Sequence, residues 1–403
     1  MMHIGRCLLI AVLLVIISGV VVAQNDPLSQ PGRYRAGWRS VTVTRANNTT
    51  FTARLYYPAV SAGQNAPFDP SGAPYAAITF GHGFFQAVSS YQSTLEHLAT
   101  HGYLVIATDS EGGLAPNHQN FADDIKRCLT YLEQENANTL SVLFGQVATS
   151  KFGASGHSMG GGASILAASQ DARIKGLANL AAAETNPSAI AAMPLISIPV
   201  SLISGSADTV VPVASNGQTM FNGANTPKII PVIQGGWHGG FEDANGFGCD
   251  TGTITRGQQL SETRRLLTSF FNLYVRRSDV DWKQVWGTLL ENPLVVAQRN
   301  PGFELSPVSQ TIDAPVGVNT VITISVTNRG LAPERYNVFL EQRRWIVVIN
   351  PQQTVVLNPN QSATITFRVR RLWKNPSLLN RLGVSLQKDS DGLTRSTAVI
   401  DLR

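Results

Sequence analysis

The pattern of apolar and polar positions divides the chain into two parts with different periodicities. From about residue 75 to residue 274, short apolar runs rich in β-branched residues alternate with longer amphipathic segments. Such runs predict buried, mostly parallel strands, and the amphipathic segments predict helices that cover both faces of the sheet. The predicted strands are Tyr75–Phe80, Tyr103–Thr108, Lys151–Gly156, Ile174–Ala181, Ile198–Ser204 and Lys228–Ile233. The predicted helices are Ser90–Thr100, Phe121–Glu135, Met159–Ser169, a short one near Ser215–Phe221, and Arg256–Tyr274.

A hairpin precedes this α/β region, and a second domain follows it. Ser40–Thr44 and Thr52–Tyr57 alternate around Asn47-Asn48, which predicts the hairpin. Beyond Asn300-Pro301-Gly302 the chain shows short alternating strands separated by turn residues, typical of an immunoglobulin-like β-sandwich. These strands are Val321–Val326, Tyr336–Leu340, Ala363–Val369, Val384–Gln387 and Ala398–Leu402. The segment from residue 300 onward contains no His and no Cys, so we expect it to be a spacer, a surface-attachment module or a stabilising appendage.

The pentapeptide Gly156-His157-Ser158-Met159-Gly160 lies between a predicted strand and a predicted helix. A G-x-S-x-G string in this context is typical of a nucleophile elbow, the sharp turn that lifts a serine hydroxyl above an α/β sheet. The alternative is a plain turn between two buried elements.

A nucleophilic serine needs a histidine base that a carboxylate orients, in the chain order serine, acid, histidine for this kind of fold. Of seven histidines only His238 follows Ser158, and it lies in a glycine-rich loop after a predicted strand. The acids between them are Asp171, Glu184 and Asp208. Asp208 is the favoured candidate because it follows the strand that ends near Ser204. Glu184 also follows a strand and is the second candidate, whereas Asp171 ends a helix and is expected to be solvated.

The oxyanion formed during acyl transfer requires backbone N–H donors that are already in place. The residue after the nucleophile, Met159, is expected to supply one, and the loop after Tyr75–Phe80 is expected to supply the other. His82 in that loop precedes the nucleophile in the chain, so we interpret it as a brace for the loop and not as the base.

Several segments together resemble a known family. They are Ala53-Arg54-Leu55-Tyr56-Tyr57-Pro58, His82-Gly83-Phe84, His101 to Asp109, Gly156 to Gly162, and Ser206-Ala207-Asp208. The region from Ser40 to Tyr274 resembles the dienelactone-hydrolase-like branch of the α/β-hydrolases, and within it the cutinase or polyester hydrolases and the chlorophyllases.

The resemblance implies a triad of Ser158, Asp208 and His238, with Phe84 and Met159 as the oxyanion donors. It also implies that Phe84 contacts the acyl group of the substrate. Polyester hydrolases carry a tryptophan after the strand that follows the elbow helix, but Ala181–Thr185 contains no aromatic residue. Trp237, beside the base, is either its substitute or a packing residue. Phe84, Phe85 and Trp237 are therefore the predicted substrate-binding residues.

The N-terminus and the cysteines bear on where the protein works. An apolar run from Cys7 to Ala23 follows a weakly basic start and predicts a signal peptide over residues 1–23, with an uncleaved membrane anchor as the alternative. The predicted domains are then a catalytic domain over 24–299 and a sandwich over 300–403. Cys128 and Cys249 remain after cleavage, and an oxidising compartment permits a disulfide between them without requiring one. No Cys/His cluster has metal-ligand spacing, and no cofactor is expected.

Together these features predict a secreted serine ester hydrolase that acts through an acyl-enzyme, as a monomer with an open, lidless cleft. The expected partner is an ester in a small molecule, a lipid or a polymer. No nucleic-acid motif is present, and the net charge of +5 is concentrated after Asn300. Two alternatives stay open: an acyltransferase with the same triad, and a non-catalytic surface-binding protein on a degenerate hydrolase scaffold.

Overall fold

The computed structural model describes residues 26–246, 250–373 and 380–403. The predicted signal peptide and Cys249 therefore lie outside the described residues. Within those ranges no helix is both long enough and apolar enough to cross a membrane.

A ten-stranded mixed sheet forms the first structural unit, in the order β10-β9-β8-β7-β6-β4-β5-β2-β1-β3. Its strands are β1 Arg35–Thr44, β2 Thr50–Ala59, β3 Gly63–Gln64, β4 Tyr75–Gly81, β5 Tyr103–Thr108, β6 Val147–His157, β7 Ile174–Leu180, β8 Val200–Gly205, β9 Lys228–Ile233 and β10 Val295–Asn300. The run from β5 to β9 is parallel throughout, and antiparallel partners join at both ends, with β2 on β5 and β10 on β9. Every residue of β4, β5 and β8 is buried, as expected of strands covered on both faces.

Seven α-helices accompany the sheet among the described residues. They are α1 Gln92–Thr100, α2 His118–Ala137, α3 Met159–Gln170, α4 Ala189–Ala192, α5 Gly217–Gly223, α6 Arg256–Tyr274 and α7 Trp282–Val285. The helices divide between two apolar cores, one on each face of the sheet. Residues of α2 and α3 such as Phe121 and Ile165 belong to one core, and residues of α1 and α6 such as Leu95 and Phe270 belong to the other.

Two further sheets form the C-terminal unit. Their strands are β11 Phe303–Ser306, β12 Ser309–Ile312, β13 Asn319–Asn328, β14 Glu334–Leu340, β15 Ile346–Ile349, β16 Gln352–Leu357, β17 Ser362–Arg371, β18 Arg381–Lys388 and β19 Arg395–Leu402. One sheet has the order β11-β13-β17-β15 and the other β12-β19-β18-β14-β16. Buried and exposed residues alternate along strands such as β17, and the inward side chains of both sheets form one shared apolar core. The predicted fold class, an α/β-hydrolase fold followed by a smaller all-β sandwich, is confirmed.

The two units touch near the end of α6. The Tyr274 hydroxyl lies 2.9 Å from the Thr394 hydroxyl and accepts a hydrogen bond from the Trp286 indole at 2.6 Å. Leu393, from the loop before β19, is buried in the same apolar core as α6.

Candidate active site

Ser158 occupies a tight turn between β6 and α3. Its backbone has φ 53° and ψ −120°, a left-handed conformation that side chains rarely adopt and that functional sites often store as strain. Glycine is needed next to it: a Cβ on Gly156 would lie 2.3 Å from the carbonyl oxygen of Gly160. A Cβ on Gly160 would in turn lie 2.1 Å from the carbonyl oxygen of Gly81, at the end of β4. The turn thus has the geometry of a nucleophile elbow.

His238 and Asp208 follow neighbouring strands and meet at the carboxyl edge of the sheet. Asp208 follows β8, and His238 begins a short 3₁₀ turn, His238–Phe241, that follows β9. The Nδ1 atom of His238 lies 2.8 Å from Oδ2 of Asp208. The other oxygen of Asp208 accepts hydrogen bonds from the backbone N–H groups of Val210 at 2.9 Å and Val211 at 2.7 Å. The carboxylate is therefore fixed by its own loop before it orients the imidazole.

The His238 ring packs against the residue that precedes Ser158. The ring centroids of His157 and His238 are 4.5 Å apart, with 40° between the ring planes. This contact brings the histidine loop to the same rim of the sheet as the elbow. The exposed fractions of Ser158, Asp208 and His238 are 7%, 6% and 7%, so little water reaches the hydrogen bonds of the group.

The other two candidate acids lie elsewhere in the hydrogen-bond network. The side chain of Glu184 is exposed and accepts a hydrogen bond from the backbone N–H of Ile190 at 2.9 Å. Asp171 pairs with Arg173 at 2.6 Å, and although burial tends to raise its pKa, the bonds from that arginine lower it overall. Of the three acids, only Asp208 is paired with His238 among the described contacts.

The loop after β4 carries the predicted oxyanion donor Phe84. His82 is fully buried and reaches two backbone carbonyl groups, that of Gly83 at 2.8 Å from Nδ1 and that of Ser110 at 2.9 Å from Nε2. These contacts agree with its interpretation as a brace for the loop. Met159 is the first residue of α3, where backbone N–H groups lack partners within the helix. The assignment of Phe84 and Met159 to an oxyanion hole stays a prediction.

The three predicted substrate-binding residues differ in exposure. Phe84 and Phe85 are 40% and 45% exposed, and their ring centroids are 6.3 Å apart, so they present apolar surface to solvent. Trp237 is buried, and its indole ring lies below the guanidinium group of Arg256, 5.5 Å from the ring centroid. Phe84 and Phe85 are exposed enough to contact a substrate. Substrate contact by Trp237 stays a prediction, and the burial of its ring does not support it.

Tyr91, Glu242 and Asp250 were not predicted from the sequence, and they contact residues of this site. Asp250 binds the backbone of the His238 loop, and Glu242 and Tyr91 contact the ring of His157, which packs against the His238 ring. Burial raises the pKa of Glu242 to about 7, and the nearby His238, Arg256 and Tyr91 partly offset that increase. A carboxylate four residues after a candidate base was the only sequence signal for Glu242.

Cys128 is the one cysteine that the structure describes. Cys128 is buried in α2, and burial raises the pKa of its thiol well above the usual value. A disulfide with Cys249, which the sequence permits but does not require, stays untested because Cys249 lies outside the described residues. No group of three or more His, Cys, Asp or Glu side chains in the described ranges has the arrangement of a metal site.

The parallel sheet, the helices on both faces and the strained serine turn after β6 define an α/β-hydrolase. Residues 34–247 match the family model described as "PETase: PET hydrolase-like", and the chain belongs to that family. Two similar curated proteins are cutinase est1 of Thermobifida alba, 28% identical over 166 residues, and the cutinase of Thermobifida fusca (strain YX), 25% identical over 166 residues. Each match covers 41% of this chain, and 53% and 52% of those two cutinases. The chain thus spans about half the length of the curated relatives it matches.

Proposed function

We propose that this protein is a secreted serine carboxylic-ester hydrolase that acts through an acyl-enzyme intermediate. The observation that carries the proposal is the 2.8 Å contact between His238 and Asp208 at the rim where the elbow holds Ser158. Membership of the PET hydrolase-like family and the similarity to cutinases support ester hydrolysis as the chemistry.

In the first half-reaction, the Ser158 hydroxyl attacks the ester carbonyl carbon and gives its proton to Nε2 of His238. Asp208 holds Nδ1 and stabilises the imidazolium, while the N–H groups of Phe84 and Met159 bind the oxyanion. Collapse of the tetrahedral intermediate breaks the ester C–O bond, and His238 returns the proton to the departing alcohol. Water then attacks the acyl-enzyme with His238 as the base, which releases the acid and regenerates Ser158.

The exposed surface of the loop after β4 supports a proposal for the substrate class. The exposed rings of Phe84 and Phe85 suit an apolar acyl chain or a hydrophobic polymer surface. The segment between β7 and β8 contains only the short helix α4 and the 3₁₀ turn Met193–Leu195. It therefore forms no large lid that would restrict the size of the ester. We therefore propose esters presented on lipid or polymer surfaces, in addition to small soluble esters.

The proposal also covers the signal peptide, the boundary between the two domains and the role of the sandwich. Residues 1–23 are the signal peptide, 24–299 the catalytic domain and 300–403 the accessory sandwich. The pairing of β10 with β9, which ends at Asn300, supports a boundary at that residue. The sandwich serves as an attachment or stabilising module.

The test uses purified protein lacking residues 1–23 and p-nitrophenyl esters of graded acyl length. We expect turnover with a burst of p-nitrophenol equal to the enzyme concentration, and its loss in Ser158→Ala. Ser155→Ala is the matched control, because the Ser155 hydroxyl is buried in β6 without a hydrogen-bond partner among the described residues. Activity that survives Ser158→Ala would remove the catalytic assignment, and no turnover on any ester would favour the scaffold alternative.

A further inference from the structure

Three buried polar side chains that the proposed mechanism does not use form a cluster around His157, whose ring packs against that of His238. Tyr91 ends a 3₁₀ turn, Val88–Tyr91, that precedes α1; His157 ends β6; and Glu242 follows the His238–Phe241 turn. Their exposed fractions are 0%, 1% and 3%. Burying three polar groups without complete pairing costs free energy, so their presence beside a catalytic histidine calls for a functional reason.

The Tyr91 hydroxyl is the centre of this cluster. It accepts a hydrogen bond from the backbone N–H of Gly83 at 3.0 Å, and Gly83 directly precedes the predicted oxyanion donor Phe84. The same hydroxyl lies 2.8 Å from Nδ1 of His157 and also forms a hydrogen bond with Glu242. One hydroxyl thus connects the oxyanion loop, the elbow and the loop of the catalytic histidine.

The charge of Glu242 determines which way these hydrogen bonds run. When Glu242 is ionised, Tyr91 donates to it and accepts from both Gly83 N–H and His157 Nδ1–H, which uses the full capacity of the hydroxyl. When Glu242 is protonated, Tyr91 can donate to Nδ1 of His157 instead, and the imidazole proton moves to Nε2. Nε2 of His157 and Oε2 of Glu242 are both buried with no hydrogen-bond partner among the described residues, so each arrangement leaves a buried polar atom unsatisfied. Burial lowers the pKa of His157 well below its usual value, so the ring stays neutral and carries one proton.

Each element that packs against Glu242 contributes a charged or titratable group that faces it. Arg256 at the start of α6 donates hydrogen bonds to the backbone carbonyls of Gly239 and Glu242, so its positive charge is held beside the loop. Asp243 follows Glu242 and opposes its ionisation, while Tyr91, from the turn before α1, favours it through a hydrogen bond. His157 from β6 approaches Oε1 of Glu242 to 3.8 Å at its Nδ1 atom.

We propose that Glu242 is a positioning residue for the proposed ester hydrolysis: its carboxylate stabilises the positive charge that His238 gains during acyl transfer. Through Tyr91, the same carboxylate holds the Gly83–Phe84 loop and the His157 ring against the catalytic imidazole. Glu242 takes no proton in the cycle, because the proton moves only between Ser158, His238, the leaving alcohol and water. This role rests on the proposed function, since it concerns the same acyl-transfer step.

The kinetic test compares Glu242→Gln with the protein lacking residues 1–23, using a soluble p-nitrophenyl ester between pH 5.5 and pH 9. Gln keeps the shape and removes the charge. We expect kcat to fall roughly tenfold at pH 8, KM to stay within about twofold, and the acidic limb of kcat/KM to move to lower pH. Glu242→Asp, which keeps the charge, is expected to return the acidic limb to its wild-type position. Glu184→Gln, an exposed carboxylate not paired with His238, is the matched control and should leave the profile unchanged.

A second measurement does not depend on turnover. Protein labelled with ¹⁵N-histidine in the Ser158→Ala background reports ring protonation and tautomer by NMR. We expect the His238 ring signals to titrate at lower pH in Glu242→Gln than in its parent, and the His157 tautomer to change near neutral pH only in the parent. Coincident titrations, or a pH–rate profile unmoved by Glu242→Gln, would overturn the role of Glu242. Absence of any ester turnover would instead count against the proposed function, and the NMR comparison would still decide whether Glu242 and His238 are coupled.

Discussion

The carboxylate of Asp250 accepts a hydrogen bond from the backbone N–H of His238, with Oδ2 and N separated by 3.2 Å. The same oxygen accepts from the backbone N–H of Thr209 at 2.9 Å, and Oδ1 accepts from Gly239 at 3.2 Å. Asp250 thereby joins the loop of the candidate acid to the loop of the candidate base. This second carboxylate therefore helps to position the two loops that make the 2.8 Å contact between Asp208 and His238.

Replacing Asp250 with Ala should therefore impair catalysis without unfolding the protein. Three backbone N–H groups lose a charged acceptor, and each such bond contributes about 1.5–3 kcal/mol when it is shielded, less at this partly exposed position. We expect kcat/KM for a p-nitrophenyl ester to fall at least roughly tenfold, with unchanged circular dichroism. Asp250→Asn, which keeps an acceptor oxygen, should lose less. Wild-type kinetics in Asp250→Ala would show that the two loops hold their geometry without it.

The close approach of the elbow to β4 leads to a prediction about stability. A Cβ on Gly160 would lie 2.1 Å from the Gly81 carbonyl oxygen and 2.5 Å from that of His82, both of them backbone atoms that cannot rotate away. Gly160→Ala is expected to lower the free energy of unfolding by several kcal/mol, within the range of about 3–5 kcal/mol for severe core damage, and to abolish ester turnover.

The matched control for that substitution is Gly257→Ala in the first turn of α6. A Cβ there meets nothing closer than the Thr255 hydroxyl at 4.0 Å, and the position is exposed. Alanine costs less conformational entropy than glycine in a helix, so Gly257→Ala should be neutral or stabilising by up to about 1 kcal/mol. Urea titration of both variants measures the contrast, and equal stabilities would contradict the steric explanation.

The parts of this structure that the sequence predicted are those with strong local signals. Strand β9 and helix α6 have the predicted limits, because a continuous apolar run forms the first and a capping box of Thr255 and Gln258 begins the second. The contact between Asp208 and His238 was predictable from chain order, since each residue follows a buried parallel strand and such strands end at one edge of the sheet.

The missed elements depend on tertiary contacts that no local pattern reveals. Strand β10 is an edge strand with a polar second half, Gln298-Arg299-Asn300, and it acquires strand structure only by pairing with β9. Strands β15 and β16 were also missed, and both are short with mostly exposed or partly exposed residues. Glu242 reads as a solvated loop residue in the sequence, because its burial depends on Tyr91 and His157, which are distant in the chain.

The raised pKa of Glu242 predicts how stability depends on pH. Its pKa in the folded protein is about 7 because of burial, against 4.5 for the free side chain. Between these values the folded state binds more protons than the unfolded state, so this carboxyl lowers the free energy of unfolding as pH rises from 4.5 through 7. Relative to Glu242→Gln, the parent should therefore lose on the order of 1–3 kcal/mol between pH 4.5 and pH 8. Urea titrations of both proteins at those two pH values measure this, and a constant difference between them would contradict it.

The contact between the sandwich and the hydrolase unit predicts that the second domain stabilises the first without taking part in catalysis. Leu393 of the sandwich is 6% exposed and belongs to the apolar core that contains α6, and the Thr394 hydroxyl is 2.9 Å from that of Tyr274. Leu393→Ala removes buried side-chain volume from this core and is expected to lower the free energy of unfolding by about 2–5 kcal/mol. Its kcat for a soluble ester at 25 °C should stay within about twofold of wild type, since the contact lies at the end of α6 and not at the rim that holds Ser158.

Leu331→Ala, at a position 81% exposed in the same sandwich, is the control and should change stability by less than about 0.5 kcal/mol. A Leu393→Ala protein as stable as the control would mean that the two units fold independently, and the sandwich would then be only an attachment module.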